Sequence, residues 1–386
     1  MEFSCPICVS IFSFVFQFFS FDSGDVFAIP PTFSISQDAF LQYLSLGNIT
    51  IDLPALYVFG DSFIDPGNNN YLKTVLKSNY TPYGIDFEGK PTGRPTNGRT
   101  MVDFIAQIAG LPFPPPVLEV SEASKKNSPT GVNYGSNSGG ILPSPRLADQ
   151  LFGHVLSMDE QIALFENTTK DLKDQFDNAE SFAQYMSKSL LFFHIGSNDL
   201  GIFWEFERHS NYTVEKYSQF LINELSKQLQ KLYELGARKF FVTNVSPLGC
   251  QPTSIAIEKP KTPCSEEKNM RVLNYNEHLS HLLSHLQSTL PGSKFVLGDL
   301  YKVFEDVFAS PASYGFTDIK NSCCIDLFRN QTRPCAPNSE PCKERNKYVY
   351  YDPFHPTESM NFLIARRFLK DSSVSSPINL LQLMQA

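Results

Sequence analysis

Several familiar signatures are missing from this 386-residue chain. There is no G-x-S-x-G, which removes the usual nucleophile elbow of α/β-hydrolases. Neither G-x-G-x-x-G nor G-x-x-x-x-G-K-S/T occurs, so the common dinucleotide and nucleoside-triphosphate loops are excluded and no cofactor is expected. Charged residues make up 19%, below the typical ~25%. A solvating disordered chain is nevertheless excluded, because 42% of residues are hydrophobic and 34 are Phe. Lys and Arg number 32 against 40 Asp and Glu, a net charge of −8. No basic block exists to neutralise a row of phosphates, which argues against nucleic acid as a partner. Beyond the first 28 residues no C-x-x-C pair is found, and no His stands at ligand spacing beside a cysteine, so no metal site is expected. No internal repeat and no linker rich in Gly, Ser or Pro divides the chain, which favours one main domain.

What is present begins with an uncharged apolar run over residues 3–21, rich in Phe, Ile and Val. Pro6, Gln17, Ser10, Ser13 and Ser20 dilute it, and Val26-Phe27-Ala28 offers a cleavage site. Residues 1–28 are therefore expected to be a signal peptide removed near Ile29 rather than a membrane anchor, although the start holds Glu2 and no Lys or Arg. Cys250, Cys264, Cys323, Cys324, Cys335 and Cys342 follow in the second half, an even set expected to form disulfides whose connectivity stays open. N-x-S/T triplets stand at Asn48, Asn167, Asn211, Asn244 and Asn330. Asn244 is expected to be unused because it ends an apolar strand with Pro247 just after its triplet, which leaves four glycosylation sites. All of this points to secretion.

Residues 29–52 read as a polar, irregular, mobile extension that packs little. Short apolar runs at 56–59, 190–195, 240–243 and 295–297, each bounded by Gly, Asn or Asp, read as parallel strands. Between them residues 214–235 form an amphipathic helix ended by Gly236, and 269–290 another closed by Pro291-Gly292. The alternation predicts a doubly wound α/β domain over about 53–372, followed by a tail at 373–386.

In such sheets, chemistry sits just past the carboxyl ends of strands. Gly60-Asp61-Ser62-Phe63 follows the first strand, and Ser62 is a candidate nucleophile, although serine beside Gly and Asp is more commonly a cap or turn residue. A nucleophilic serine requires a base and a group that orients the base. Of seven histidines, only His355 has a carboxylate at short spacing in a Pro-punctuated loop, Asp352-Pro353-Phe354-His355-Pro356. His278, His281 and His285 share a helix face at offsets of three and four, but with no acidic partner evident they read as a half-solvated surface. The segment 194–199 places an Asn198 amide after a strand, and the glycines of 131–140 allow close approach of backbone N–H groups to a substrate oxygen.

Taken together, Gly60-Asp61-Ser62, the 131–140 loop, Gly196-x-Asn198-Asp199 and Asp352-x-x-His355-Pro356-Thr357-Glu358 resemble, in identity and order, the plant GDSL esterase/lipase family, a branch of the SGNH hydrolases. Pro66-Gly67-Asn68-Asn69-Asn70, Asn97-Gly98-Arg99, Pro247-Leu248-Gly249-Cys250 and the Cys323-Cys324 pair strengthen the resemblance, which spans roughly 54–370. It implies a flavodoxin-like doubly wound fold around a parallel sheet. It further implies Ser62 as nucleophile, His355 as general base and then acid, Asp352 as its orienting partner, and an oxyanion hole from the Ser62 N–H, a glycine N–H and the Asn198 side chain. The family commonly reads Ala-Ser-Gly-Gly-Ala-Gly where this chain has Gly135-Ser136-Asn137-Ser138-Gly139-Gly140; Gly140 is chosen as the donor, with Gly139 next. Phe63 replaces the Leu of the family name, and Tyr351 stands where Trp is common. The implied protein is a secreted monomeric serine esterase acting on small-molecule or lipid esters, with no membrane span after cleavage. The alternatives are an acyltransferase on the same fold and a secreted binding protein that has lost turnover.

Overall fold

The computed structural model describes residues 30–47, 49–120, 130–207, 212–324 and 333–386. The expected leader and its cleavage site, and Asn48, Asn211 and Asn330, lie outside the described residues.

Four strands, β1 (Leu56–Gly60), β2 (Leu190–His194), β3 (Lys239–Thr243) and β4 (Lys294–Gly298), pair in parallel in that order. They coincide with the four apolar runs. Two further strands, β5 (Asp318–Ser322) and β6 (Tyr348–Tyr350), form a small separate parallel pair, and β7 (Ser375–Ser376) joins β4 antiparallel. Along β1 the side chains alternate between two cores: Leu56 and Val58 face one, Tyr57 and Phe59 the other. Because both faces of the sheet are covered, these strands read as continuous apolar runs rather than alternating ones.

Residues 130–134 run alongside β1 on the edge away from β2: Leu56 and Val58 N–H donate to Thr130 and Val132 carbonyls, and Tyr134 N–H to Val58. After β1 the chain therefore goes first to one side of it and later, with β2, to the other. The crevice created by that reversal opens at the carboxyl end of β1, the place where open α/β sheets bind ligands.

Helices Met158–Lys173, Val214–Glu234 and Glu266–Thr289 cover one face, and Met101–Ala109, Leu300–Ala309 and Glu358–Lys370 the other. The helix expected from residue 269 starts earlier, because Ser265 caps it and Glu266 and Glu267 favour the positive helix start. Among the described residues no helix is long and apolar enough to cross a membrane.

The expectation that residues 29–52 pack little is corrected. Ser36 caps a helix, Gln37–Tyr43, that buries Phe40 and Leu41, its C-cap Leu44 is buried as well, and Phe40 stacks on Phe362. Burying one such Phe is worth roughly 1.5–3 kcal/mol. Arg99 also donates to the Pro31 carbonyl. The tail packs too, with Val374, Leu380, Leu383 and Met384 buried. Three disulfides supply the open connectivity: Cys250–Cys264, Cys323–Cys342 and Cys324–Cys335.

Candidate active site

Ser62 stands on a tight turn at the end of β1. Gly60 has φ +147°, and a Cβ there would lie 1.9 Å from the His194 carbonyl oxygen, so only glycine lets the turn start this close to β2. Asp61 N–H donates to that same carbonyl, and Asp61 Oδ1 accepts from Phe63 N–H at 3.1 Å. Gln161 clamps Gly60 from the other side, donating to its carbonyl and accepting from its N–H. Ser62 is left 8% exposed. Its hydroxyl has no partner among the described residues, and it lines a small recess with His355, Phe63, Pro95, Thr96, Thr100 and Asn361.

His355 reaches the recess from a loop between β6 and the helix Glu358–Lys370. Asp352, three residues earlier, is fully buried and touches His355 Nδ1 with both oxygens, at 2.9 and 2.8 Å. Oδ1 also accepts from the Phe354 and His355 N–H groups, and Oδ2 from the Tyr83 hydroxyl at 2.5 Å. Burial opposes ionisation of Asp352, but the charge and hydrogen bond of His355, the Tyr83 hydroxyl and the Phe354 N–H outweigh it and hold the carboxyl below its ordinary value. Tyr83 is buried against Tyr80 and Tyr351 and accepts from the N–H of Cys335, the disulfide partner of Cys324, which places Cys335 behind the carboxylate. Thr96 donates to the Pro356 carbonyl, Asn97 accepts from Glu358 N–H, and Arg99 pairs with Glu358. A Cβ on Gly98 would lie 2.5 Å from that carboxylate. The Asn97-Gly98-Arg99 stretch thus anchors the His355 loop.

The Asn-rich stretch after Ser62 braces the 131–140 loop. Asn68 Nδ2 donates to the Asn133 and Gly135 carbonyls, Asn69 Nδ2 to that of Asn137, and Asp65 accepts from Asn137 N–H. Within the loop Gly139 N–H is committed to the Ser136 carbonyl at 2.7 Å. The N–H groups of Ser62 and Gly140 have no acceptor among the described residues. Asn198 spends one amide hydrogen on the Gly139 carbonyl at 2.8 Å and keeps the other. Asp199 binds the Ile141 and Leu142 N–H groups, fixing the loop against the Asn198 turn; burial pushes its carboxyl up to about 6.

Of the residues singled out in the sequence, the tertiary structure brings Ser62 and His355 into one recess and binds Asp352 to His355. Tyr83 and Gln161 were missed, since no motif links either to the segment it supports. His278 does have an acidic neighbour, Glu215 at 3.0 Å, supplied by the adjacent helix; this corrects the expectation of none. Among the described residues no group of three or more His, Cys, Asp or Glu is placed to hold a metal. Asn167 is exposed on its helix, whereas Asn244 is buried, with its amide bound to Asp299 and Tyr301 N–H.

Residues 56–368 match the family described as GDSL-like Lipase/Acylhydrolase. A GDSL esterase/lipase of Arabidopsis thaliana is 41% identical over 86% of this chain and 85% of its own length. GDSL esterase/lipase 7 of the same plant is 39% identical over 86% of this chain and 92% of its own.

Proposed function

The chain belongs to the GDSL-like lipase/acylhydrolase family and is an ester-hydrolysing enzyme; from that premise we propose that it works as a secreted serine esterase through an acyl-serine intermediate. Ser62 Oγ attacks the ester carbonyl carbon while His355 takes its proton at Nε2. Asp352, bound at Nδ1, holds the ring and stabilises the imidazolium. The negative oxygen of the tetrahedral intermediate receives the Ser62 and Gly140 N–H groups and the remaining Asn198 amide hydrogen. Collapse breaks the bond to the alcohol, which leaves with the proton from His355; water, deprotonated by His355, then attacks the acyl group and restores Ser62.

The observation that carries this reading is the two-oxygen contact of Asp352 with His355 Nδ1, in a loop whose imidazole shares a recess with a Ser62 hydroxyl that has no partner among the described residues. The commitment of Gly139 N–H to Ser136 favours Gly140 as the second backbone donor. Three disulfides favour an oxidising route, with glycans on Asn48, Asn167, Asn211 and Asn330. The substrates are small-molecule or lipid esters.

A fluorophosphonate probe is expected to label the wild-type protein on Ser62 and to leave Ser62→Ala unlabelled and without esterase activity. Undiminished labelling of Ser62→Ala would remove Ser62 as nucleophile. An unlabelled, inactive wild type would instead identify a binding protein.

A further inference from the structure

A second Asp and a second His stand directly behind Ser62 and have no part in the chemistry above. Asp61 and His194, at the carboxyl ends of β1 and β2, are both completely buried. An ionised carboxyl in such a place needs several donors or a cation. Asp61 Oδ1 has the Phe63 N–H, and Oδ2 has no hydrogen-bond partner among the described residues. His194 cannot supply the charge. Its Nδ1 lies 2.7 Å from the Thr243 hydroxyl, whose own hydrogen goes to the Phe193 carbonyl, so Nδ1 carries the ring hydrogen and donates it. Burial pushes the imidazolium form down to about 3. The ring is therefore neutral, with a lone pair on Nε2, 3.7 Å from Asp61 Oδ1 and 3.3 Å from the Ser197 hydroxyl. At that distance the ring makes no hydrogen bond to the carboxyl, and being neutral it is no counter-ion to it. The same ring stacks on Phe63 at 4.6 Å, and Phe63 meets His355 edge-on at 6.2 Å, so His194 also packs beneath the site.

We propose that Asp61 is held as the neutral carboxylic acid in the resting enzyme and, with His194, forms a positioning pair that supports the Ser62 turn while keeping buried negative charge away from it. The consequence for rate rests on the reading of Ser62 as nucleophile; the protonation state of Asp61 does not. Other groups facing Asp61 are Ser197 and Asp199 from the segment after β2 and His355 from its loop. Burial dominates; the Phe63 N–H, the charge of His355 and Ser197 favour the carboxylate, Asp199 opposes it, and the balance pushes Asp61 up to about 7. An ionised Asp61 would stand beside the Ser62 N–H, where the substrate oxygen turns negative, and would disfavour that charge.

The test compares Asp61→Asn, the isostere of the acid, with Asp61→Ala and wild type. Because folding raises the Asp61 pKa, the stabilisation its proton confers is complete below the unfolded value and is lost as pH rises through about 7. The melting temperature of Asp61→Asn relative to wild type is thus expected to climb between about pH 4 and 7 and to level off above that. The infrared difference between wild type and Asp61→Asn near pH 6 should show one carboxylic-acid carbonyl band that fades as pH rises through about 7, and the same difference on a Ser62→Ala background should keep it; Asp65 and Asp199, also pushed up by burial, cancel in the subtraction. Asp61→Asn should retain a kcat roughly tenfold or more above Asp61→Ala, with KM little changed. Three results would overturn the proposal: failure of Asp61→Asn to fold, a relative melting temperature that falls with pH, or no band assignable to Asp61. If Ser62→Ala keeps both the band and esterase activity, the nucleophile assignment fails while this proposal stands.

Discussion

Two Asp–His pairs stand within one site, and they have opposite electrostatic characters. Asp352 and Asp61 are equally buried, yet the first is held below its ordinary pKa and the second is pushed up to about 7. The difference is the supply of donors. Asp352 receives two backbone N–H groups, a tyrosine hydroxyl and both contacts to His355 Nδ1, whereas among the described residues Asp61 receives the Phe63 N–H on Oδ1 and no hydrogen bond on Oδ2. The histidines differ in the same sense: His355 borders the recess, while His194 is sealed against Phe63 and Thr243. Residue type and proximity do not by themselves give the two pairs the same character; the number of donors and the access of the ring set them apart.

The contrast is broken most severely at Asp352. Asp352→Asn places an amide where Nδ1–H must donate, favours the wrong tautomer, and is expected to lower kcat by roughly 10⁴-fold without loss of fold. Steady-state kinetics with circular dichroism checks both parts, and a fall below tenfold would make His355 independent of its partner. Next in size is Asn198, four residues beyond His194. Asn198→Ala should reduce kcat by about 10²- to 10³-fold as one oxyanion donor is lost. If only KM rises, Asn198 binds ground-state substrate instead.

The smallest expected effect sharpens the comparison by making Asp352 more like Asp61. Tyr83→Phe removes one donor to a charged carboxyl, worth about 1.5–3 kcal/mol, and should lower activity by about tenfold. A depressed carboxyl contributes stability above its unfolded pKa that is lost as pH falls through its folded value. With its folded pKa raised in Tyr83→Phe, this contribution shrinks, and acid unfolding begins at higher pH than in wild type. Thermal melts across an acid series measure it; identical acid limbs would show that Tyr83 does not tune Asp352.

Local order made much of this protein legible before folding. The four apolar runs became β1 to β4 because a sheet covered on both faces needs uninterrupted apolar residues, a property visible within five positions. Asp352 and His355 were found because a three-residue spacing in a Pro-rich loop already brings their side chains together. The amino-terminal helix was misread because Phe40 and Leu41 stand among polar neighbours in a helix of seven residues, too short for periodicity to show. The cysteine pairing, Glu215 beside His278, and Tyr83 behind Asp352 all join positions on separate elements. Nothing in the spacing records such contacts.

By itself, then, the sequence determined the strands, the chemical groups available for catalysis and the loop that presents His355, since each depends on neighbours along the chain. Only the tertiary structure decided which carboxyl is ionised, which histidine reaches the recess, and which glycine N–H is left without an acceptor. Those properties depend on donors arriving from segments as far apart as Tyr83 and Asp352, or Phe63 and His194, and on water being excluded from between them.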